Sequence, residues 1–454
     1  MEIIRNMVRC GQRHLHTIVS RKIIKPSSPT PSRLKTYNLS LFDQLAPDAY
    51  MPMVIFYPNS KLHANSHVKM MDMKNSLSRT LTQYYPFAGR LAKTTPSFVD
   101  CNDEGVEFLE AHNDNLLSDF LNNTQYEDLD QLFPNGLVWQ QLRSCSFEKD
   151  RASPLAIQVN QFACGGIAVA VSLSHKIADG SSLCNFFNDW AIMTRLSSRE
   201  EHNGHGSPIN PYFISFKNTN LNYQGIPTSK SQDGAVTRSF VFPNSRLNDL
   251  KLKVIKMTTQ SEQPITNPTR MEVLNWLLYK CAIKAARKNN LGSFKPTRFA
   301  LATEIRNKMT EPLPKTTIGN IVCLPAFSTD NPNQTTPSNF ISQLKNLKME
   351  VQGFQNIQDA IERLQHTSDL PTIVKSEQRK VGYYLSSSLC WYPLHGIDFG
   401  WGKPIKVVPS AVTPMCNRFV FVDARNGDGI EVFVSLGKQD MEIFQTDPEL
   451  LAFC

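Results

Sequence analysis

The apolar positions of the chain recur in two different periods, and each period predicts a different kind of element. Between about residues 67 and 85 the apolar side chains recur at helical spacing. They are Val68, Met71, Leu77, Leu81 and Tyr84. Pro86 and Gly89 follow, and both residue types end helices. The pattern therefore predicts an amphipathic helix from about His67 to Tyr85.

A period of two appears on both sides of the stretch Cys164-Gly165-Gly166. Apolar residues occupy alternate positions at Leu155, Ile157 and Val159 before these glycines, and at Ile167, Val169, Val171 and Leu173 after them. Two alternating runs joined by a Gly-Gly turn predict a β-hairpin. The second strand leads into a loop over residues 174–180, and helical spacing then returns at Leu183, Phe186, Phe187 and Trp190.

The second half of the chain begins with a change of composition. Residues 199–235 are rich in Asn, Gly, Pro, Ser and Lys and lack apolar periodicity, which predicts a long surface connection. Beyond it, Arg238 to Phe242 alternates as a strand, and Thr269 or Asn267 can cap an apolar helix. Strands and helices then alternate irregularly without a repeat.

These elements predict an α/β or α+β protein with two similar halves. Its 454 residues suit two domains of ordinary size. We expect a basic N-terminal extension over residues 1–19, a first domain over 20–198, a crossover over 199–235 and a second domain over 236–454. Ordered structure is expected to begin near Ser20 with a strand.

Composition and charge narrow the class of protein. Hydrophobic residues make up 41% and charged residues 19%, which is typical of a soluble globular chain. No apolar run is long enough to span a bilayer, so we expect no membrane span. The net charge of +8 comes from scattered Lys and Arg without a recognition motif, so a polyanionic small molecule suits it better than nucleic acid.

The cysteines and the N-terminus bear on the cellular compartment. The ten cysteines lie far apart without a C-x-x-C pair, which indicates reduced thiols in a cytoplasmic protein. The first 18 residues are basic but lack the apolar core of a secretory signal. A cytoplasmic location is therefore expected, with an organelle as the alternative if this segment is a transit peptide.

The first candidate for chemistry is His175 to Asp179, an H-x-x-x-D at the point where a predicted buried strand meets a loop. An imidazole with a pKa near neutrality suits the removal of a proton from an alcohol. The pattern is short, and its alternative explanation is a polar loop whose Asp caps the next helix. No metal site is expected, because His63 and His67 lack the intervening Glu of a zinc protease and a third ligand. Serine-hydrolase and P-loop motifs are also missing.

A second motif lies far downstream, in the other half of the chain. Asp398-Phe399-Gly400-Trp401-Gly402 is followed by Lys403-Pro404, and so long a match is rare by chance. Together with H-x-x-x-D it makes the chain resemble the plant BAHD acyltransferases, of the branch that holds vinorine- and deacetylvindoline-type alkaloid acetyltransferases. Further matches are residues 26–31, 39–43, 85–91, 99–103, 268–274, 312–314, 319–320 and 428–431.

The resemblance implies two chloramphenicol acetyltransferase-like domains with the active-site channel at their interface. It implies that His175 is the general base and that Asp179 is turned away from substrate to pair with Arg306. Asp398 to Gly402 would be structural. Thr269 and Arg270, at a predicted helix start, would contact the donor's phosphates, with helix capping and a surface charge as the alternative.

The same resemblance implies a monomer without metal or tightly bound cofactor. An acyl-CoA, with acetyl-CoA favoured, would be the co-substrate, and transfer to the acceptor hydroxyl would be direct. The acceptor expected is a small alcohol among plant specialised metabolites, such as an alkaloid. Alternatives are an acylsugar or alcohol acyltransferase, an N-acyltransferase of an amine, and a catalytically silent metabolite-binding relative.

The chain departs from the family pattern just before the second motif. Many relatives carry Ser-Trp-Cys-Arg where this chain has Ser388-Leu389-Cys390-Trp391. The loss of the Arg at Trp391 argues against an acceptor held by its carboxylate. An apolar wall at this point would instead favour a bulky neutral or cationic acceptor.

Overall fold

The structure is a computed structural model. It describes residues 16–59, 66–92, 97–139, 151–197, 208–214, 216, 234–366, 381–409 and 416–454. The helices in chain order are α1 Leu41–Leu45, α2 Ser66–Gln83, α3 Leu117–Asn123, α4 Gly180–Ser197, α5 Asn244–Thr258, α6 Arg270–Asn289, α7 Pro337–Glu350, α8 Ile357–His366, α9 Lys438–Phe444 and α10 Pro448–Leu451.

The strands alternate with these helices along both halves of the chain. They are β1 His16–Ile24, β2 Thr36–Asn38, β3 Tyr50–Tyr57, β4 Arg90–Ala92, β5 Phe98–Asp100, β6 Val106–Asn113, β7 Arg151–Ala152, β8 Leu155–Phe162, β9 Ile167–Ser174, β10 Tyr212–Phe213, β11 Ala235–Phe242, β12 Thr297–Leu301, β13 Thr303–Glu304, β14 Thr317–Ile318, β15 Val322–Cys323, β16 Ala326–Thr329, β17 Gly382–Ser388, β18 Lys406–Pro409, β19 Arg418–Asp423 and β20 Ile430–Gly437.

The first half is built on a six-stranded sheet in the order β1-β6-β8-β9-β3-β18. Strands β3 and β9 are buried along their whole length, because structure covers both faces of the sheet at its centre. Helices α2 and α4 pack together in this half, where the Trp190 indole N–H donates to the Met73 carbonyl at 3.2 Å. A smaller four-stranded sheet, β2-β5-β4-β7, lies beside them.

The second half repeats the plan with a sheet in the order β11-β20-β19-β17-β12-β16. One face of this sheet, with Phe299, Tyr384 and Phe419, packs into a hydrophobic core that includes side chains of α5, α6, α7 and α9. The side chains that alternate with them point to the other face. Val420 and Val422 of that face contact the core of the first half, so this face of the second sheet looks toward the first half.

The two halves also exchange a segment. Strand β18 comes from the second half but pairs antiparallel with β3 of the first sheet, with Val407 opposite Ile55. The residues just before it, including Phe399 and Trp401, lie in the hydrophobic core of the first half. The chain between β17 and β18 therefore ties the halves together.

Several expectations from the sequence are confirmed, with changes of detail. The mixed α/β class, the hairpin β8-β9 and the helix α6 with its Thr269 cap are present. Strand β1 begins at His16, four residues before the expected start, because it pairs as an edge strand with β6 and so needs little apolar pattern. Helix α2 is also present, but its buried face differs from the predicted one. Met70, Met73, Leu77 and Leu81 are buried, whereas Val68 and Met71 are largely exposed.

The predicted crossover at 199–235 falls largely on residues outside the described part of the chain. Part of the described portion lies at the surface, as expected, since Pro208, Asn210 and Tyr212 are exposed, but two of its side chains pack inward. Ile209 is buried, and Phe213 packs edge-on against Tyr37 at 5.4 Å between ring centroids. Within the described ranges, no helix is long and apolar enough to cross a membrane.

Candidate active site

His175 follows β9, where the buried strand ends and the chain turns toward α4. Its backbone N–H donates to the Ala49 carbonyl at 2.8 Å, which holds the start of the loop against the residue before β3. Asp179 ends the loop and caps α4, because its carboxylate accepts the Ser182 backbone N–H at 2.9 Å. The imidazole of His175 stays partly exposed, while Lys176 to Asp179 are buried. The loop thus presents His175 alone.

Asn320 fixes the tautomer of His175. The Asn320 amide nitrogen donates to the His175 carbonyl at 2.7 Å and to the Asp43 carboxylate at 2.9 Å, so the amide orientation is determined. The amide oxygen then faces His175 Nδ1 at 3.0 Å, which makes Nδ1 the donor in the neutral imidazole. The lone pair of Nε2 is left available to accept a proton.

Burial lowers the pKa of His175 to about 4. The positive charge of Arg418 adds to this lowering, and the Asp179 carboxylate opposes it. At neutral pH His175 is therefore uncharged, which is the form that a general base requires.

Asp179 and Arg306 form a buried ion pair, both 2% exposed. The guanidinium donates to both carboxylate oxygens, at 2.8 and 3.0 Å, and also to the backbone carbonyls of Thr317 and Gly319. Burial alone would raise the pKa of Asp179, but the charge of Arg306 outweighs it and holds that pKa below its usual value. The structure brings together these two predicted residues, and the Asp179 carboxylate points into the protein.

Glu304 extends this pair toward the segment that departs from the family pattern. Its carboxylate accepts from Arg306 at 3.1 Å and from the Tyr392 hydroxyl at 2.7 Å. Leu389 lies against Gly180, where an added Cβ would meet its Cδ2 at 2.7 Å. Trp391 instead points to solvent and is 84% exposed. The expected apolar wall at Trp391 is therefore wrong, because its backbone, with φ of 76°, turns the side chain outward.

The second motif forms a compact turn. One oxygen of the Asp398 carboxylate accepts the backbone N–H of Gly400 at 2.7 Å and of Gly402 at 2.9 Å. Both glycines have positive φ, near 101° and 107°, which other residues rarely adopt. The Phe399 ring packs edge-on against Trp190 at 5.0 Å, so the turn is fixed to α4, the helix that Asp179 caps. The role predicted for this motif remains a proposal.

The residues predicted to contact the donor are engaged within the protein. The Thr269 hydroxyl accepts the Glu272 N–H at 3.2 Å, and Glu272 accepts the Thr269 N–H in return, which is a capping box. Arg270 donates to the Asn244 side chain. Helix capping accounts for Thr269 as it stands, and a contact with the donor stays a prediction.

Four residues near His175 were not assigned a role from the sequence. Asp43 and Asn320 lie within the family matches over residues 39–43 and 319–320, and those matches are the sequence signal that could have pointed to them. Trp139 and Arg418 lie in no motif. The Arg418 guanidinium stacks on the Trp139 ring at 4.8 Å, and that ring lies 6.3 Å from the His175 ring between centroids. Tertiary structure alone brings these side chains to the base.

No group of three or more His, Cys, Asp or Glu side chains is placed to hold a metal ion in the described segments. His63 lies outside them, and His67 is exposed.

Comparisons with known proteins agree with this geometry. A family model for the transferase family matches residues 15–451. The chain is 34% identical over 441 residues to acylsugar acyltransferase 3 of Solanum lycopersicum, covering 96% of this chain and 97% of that one. It is 33% identical over 455 residues to deacetylvindoline O-acetyltransferase of Catharanthus roseus, with coverage of 96% and 97%.

A crystal structure of vinorine synthase superposes with a TM-score of 0.77 at 28% identity, covering 97% of this chain and 98% of that one. The fold is thus the two-domain fold of these acyltransferases. The chain belongs to the BAHD transferase family, and it is an enzyme that transfers acyl groups other than aminoacyl groups.

Proposed function

We propose that this protein transfers an acyl group, with acetyl favoured, from coenzyme A to a hydroxyl of a small-molecule acceptor. The observation that carries the proposal is the state of His175, which is neutral at physiological pH and held with Nε2 available. The names of the relatives, an acylsugar acyltransferase and an O-acetyltransferase, support the reaction class. Alkaloid alcohols and partly acylated sugars are the first acceptors to screen.

The reaction follows from the roles of the residues. His175 Nε2 removes the hydroxyl proton as the acceptor oxygen bonds to the thioester carbonyl carbon. The carbon–sulfur bond then breaks, and His175 returns the proton to the departing thiolate. The proton removed from the acceptor thus leaves with the coenzyme A thiol, and no covalent acyl-enzyme is formed. Asn320 keeps the imidazole in one tautomer throughout, and the Asp179–Arg306 pair holds the loop.

The test is mass spectrometry of products from purified protein, acetyl-CoA and a pooled set of alkaloid, sugar and simple alcohols. Wild type should give products heavier by one acetyl group. His175→Ala should lower turnover roughly 10² to 10⁴-fold without unfolding. His112→Ala is the matched control, because His112 is 49% exposed beside Asp114, at the end of β6. Equal turnover in wild type and His175→Ala would show that His175 is not the general base.

Acceptor-stimulated release of coenzyme A separates this proposal from a silent binding relative. Products with acylated amines only would favour N-acylation. The cytoplasmic location and monomeric state expected from the sequence remain predictions.

A further inference from the structure

Asp43 lies in the short helix α1 of the first half and is 1% exposed. Its carboxylate accepts hydrogen bonds from two residues. One oxygen, Oδ2, accepts the Ser40 backbone N–H at 3.0 Å and the Ser40 hydroxyl at 2.7 Å. The other, Oδ1, accepts the Asn320 backbone N–H at 2.7 Å and the Asn320 side-chain N–H at 2.9 Å. All of these groups donate, which suits an ionised carboxylate, since that form only accepts.

The two oxygens of this carboxylate have different surroundings. The Ser40 hydroxyl also accepts the Asp43 backbone N–H at 3.0 Å, so the contacts of Oδ2 belong to a capping box that begins α1. The contacts of Oδ1 reach Asn320 in the second half, 277 positions later in the sequence. Helix capping accounts for Oδ2, and it does not account for Oδ1.

The contacts of Oδ1 determine which way the Asn320 amide faces. The amide nitrogen donates to Asp43 Oδ1 and to the His175 carbonyl, the latter at 2.7 Å. Turning the amide over would place its oxygen against both of these acceptors and leave them without a donor, which is unfavourable at a buried position. Asp43 contributes the larger share of that penalty, because its carboxylate is charged whereas the carbonyl is not.

The orientation of the amide matters because His175 lies on its other side. The Asn320 amide oxygen faces His175 Nδ1 at 3.0 Å and can only accept, so the proton of the neutral ring lies on Nδ1. In the reversed orientation an N–H group would face Nδ1, and the ring proton would move to Nε2. Nε2 could not then remove a proton from a substrate hydroxyl.

We propose that Asp43 is a positioning residue for the base. Its carboxylate holds the Asn320 amide in one orientation and thereby selects the Nδ1-protonated tautomer of His175. This role rests on the proposed function, in which His175 Nε2 removes the proton of the acceptor hydroxyl. Because Asp43 and Asn320 belong to different halves of the chain, the base is set correctly only when the two halves are joined at this contact.

The first test observes the tautomer directly and needs no substrate. The full-length protein is labelled with isotopic nitrogen in its histidine rings, and the ring signals are recorded by NMR at neutral pH, with His175→Ala to assign those of His175. Wild type should show a single neutral tautomer with the proton on Nδ1. Asp43→Ala removes the acceptor and should move a measurable fraction of the ring protons to Nε2. Asp43→Asn keeps the size of the side chain and should give a smaller shift, since an uncharged oxygen holds the amide less firmly.

The second test uses acetyl transfer to separate positioning from stability. Asp43→Ala should lower kcat about 10 to 100-fold with little change in KM, as expected when a catalytic group is misplaced. Ser40→Ala is the matched control, because it removes a hydrogen bond to the same carboxylate and the cap of α1 but leaves Oδ1 with Asn320. It should lower the urea midpoint and leave kcat within about twofold.

A double variant tests whether Asp43 acts through Asn320. Residues that act in one chain of contacts are not additive, so Asp43→Ala should lower kcat no further when Asn320→Ala is already present. Independent losses that multiply in the double variant would overturn the proposal. An equal loss of kcat in Ser40→Ala would also overturn it, because the effect would then belong to the helix.

The NMR result keeps this proposal distinct from the proposed function. A wild-type proton on Nε2, or an unchanged tautomer in Asp43→Ala or Asp43→Asn, would overturn the positioning role even if acyl transfer is found. Loss of the fold in both variants, seen by circular dichroism, would assign the carboxylate to folding and overturn it as well. A tautomer that depends on Asp43 in a protein that acylates no substrate would leave the positioning intact and overturn the proposed function.

Discussion

Two arginines flank the candidate base, and they are held in different ways. Arg306 is 2% exposed, and the protein supplies acceptors to it from Asp179, Thr317 and Gly319. Although burial opposes its charge, the Asp179 carboxylate raises the pKa of Arg306. Arg418 is partly exposed and stacks on an indole ring, and burial lowers its pKa to about 10.

The pKa shifts of the two guanidinium groups are opposite, because the Asp179 carboxylate compensates the burial of Arg306 whereas burial dominates at Arg418. Burying a charge is unfavourable unless a partner compensates, and the compensation around Arg306 is complete in the protein alone. Around Arg418 burial lowers the pKa of the guanidinium, and the buried Trp139 indole N–H and Tyr383 hydroxyl have no hydrogen-bond partner within the described residues.

The largest expected effect concerns stability. Arg306→Met leaves the buried Asp179 carboxylate without its counter-charge and should lower the free energy of unfolding by about 3 to 5 kcal/mol. Arg418→Met removes a partly exposed guanidinium and its cation–π contact with Trp139, so the change should be smaller, about 1 kcal/mol. Urea denaturation followed by tryptophan fluorescence and circular dichroism measures both.

Arg246→Met is the control for loss of an arginine at the surface. Arg246 forms an exposed i,i+3 pair with Asp249 on α5, and its loss should leave the denaturation midpoint unchanged. Equal destabilisation by Arg306→Met and Arg418→Met would erase the distinction between the two regions.

A smaller effect, on activity rather than stability, is expected at Asn320, which is hydrogen-bonded to His175. Asn320→Ala removes the acceptor for Nδ1–H, so the imidazole can adopt the wrong tautomer or rotate. The kcat for acetyl transfer should fall about 10 to 100-fold with little change in KM, since a small misplacement of a catalytic group has effects of this size. Steady-state kinetics checks the split between kcat and KM. A change confined to KM would instead place Asn320 in substrate binding.

The surroundings of Arg306, with Asp179 and the loop that holds His175, were largely predictable from the sequence. The surroundings of Arg418 were not. Asp179 lies in the H-x-x-x-D motif, and Arg306 lies fourteen residues before Asn320, where the family resemblance implies its partner, so their pairing could be expected before the structure. The hairpin and α4 were predictable because a period of two and helical spacing meet at the loop that holds His175. Local pattern and family motif agree there.

Arg418 gave no such signal, because its position depends on the parallel register of β17 with β19 and on Trp139, more than 270 residues earlier in the sequence. The prediction at Trp391 failed for a related reason. A substitution in a motif reports which side chain is present, but the positive φ at that residue decides that it faces solvent. Contacts between halves and backbone reversals are tertiary properties that periodicity does not encode.

The finest test of the comparison is the pH dependence of kcat/KM. The base must be neutral, and the pKa of His175 is lowered to about 4, so activity should persist as pH falls below the usual histidine value and disappear only near about 4. Because Arg418 contributes to that lowering, Arg418→Met should raise the pKa and move the acid limb to higher pH. Acetyl transfer to a neutral alcohol is assayed from pH 4 to 9 in wild type and in Arg418→Met, with circular dichroism to exclude acid unfolding. This measures the acid limb of each protein. An identical limb in the two proteins would show that the guanidinium does not act on the base, and Arg418 would then lose its link to His175.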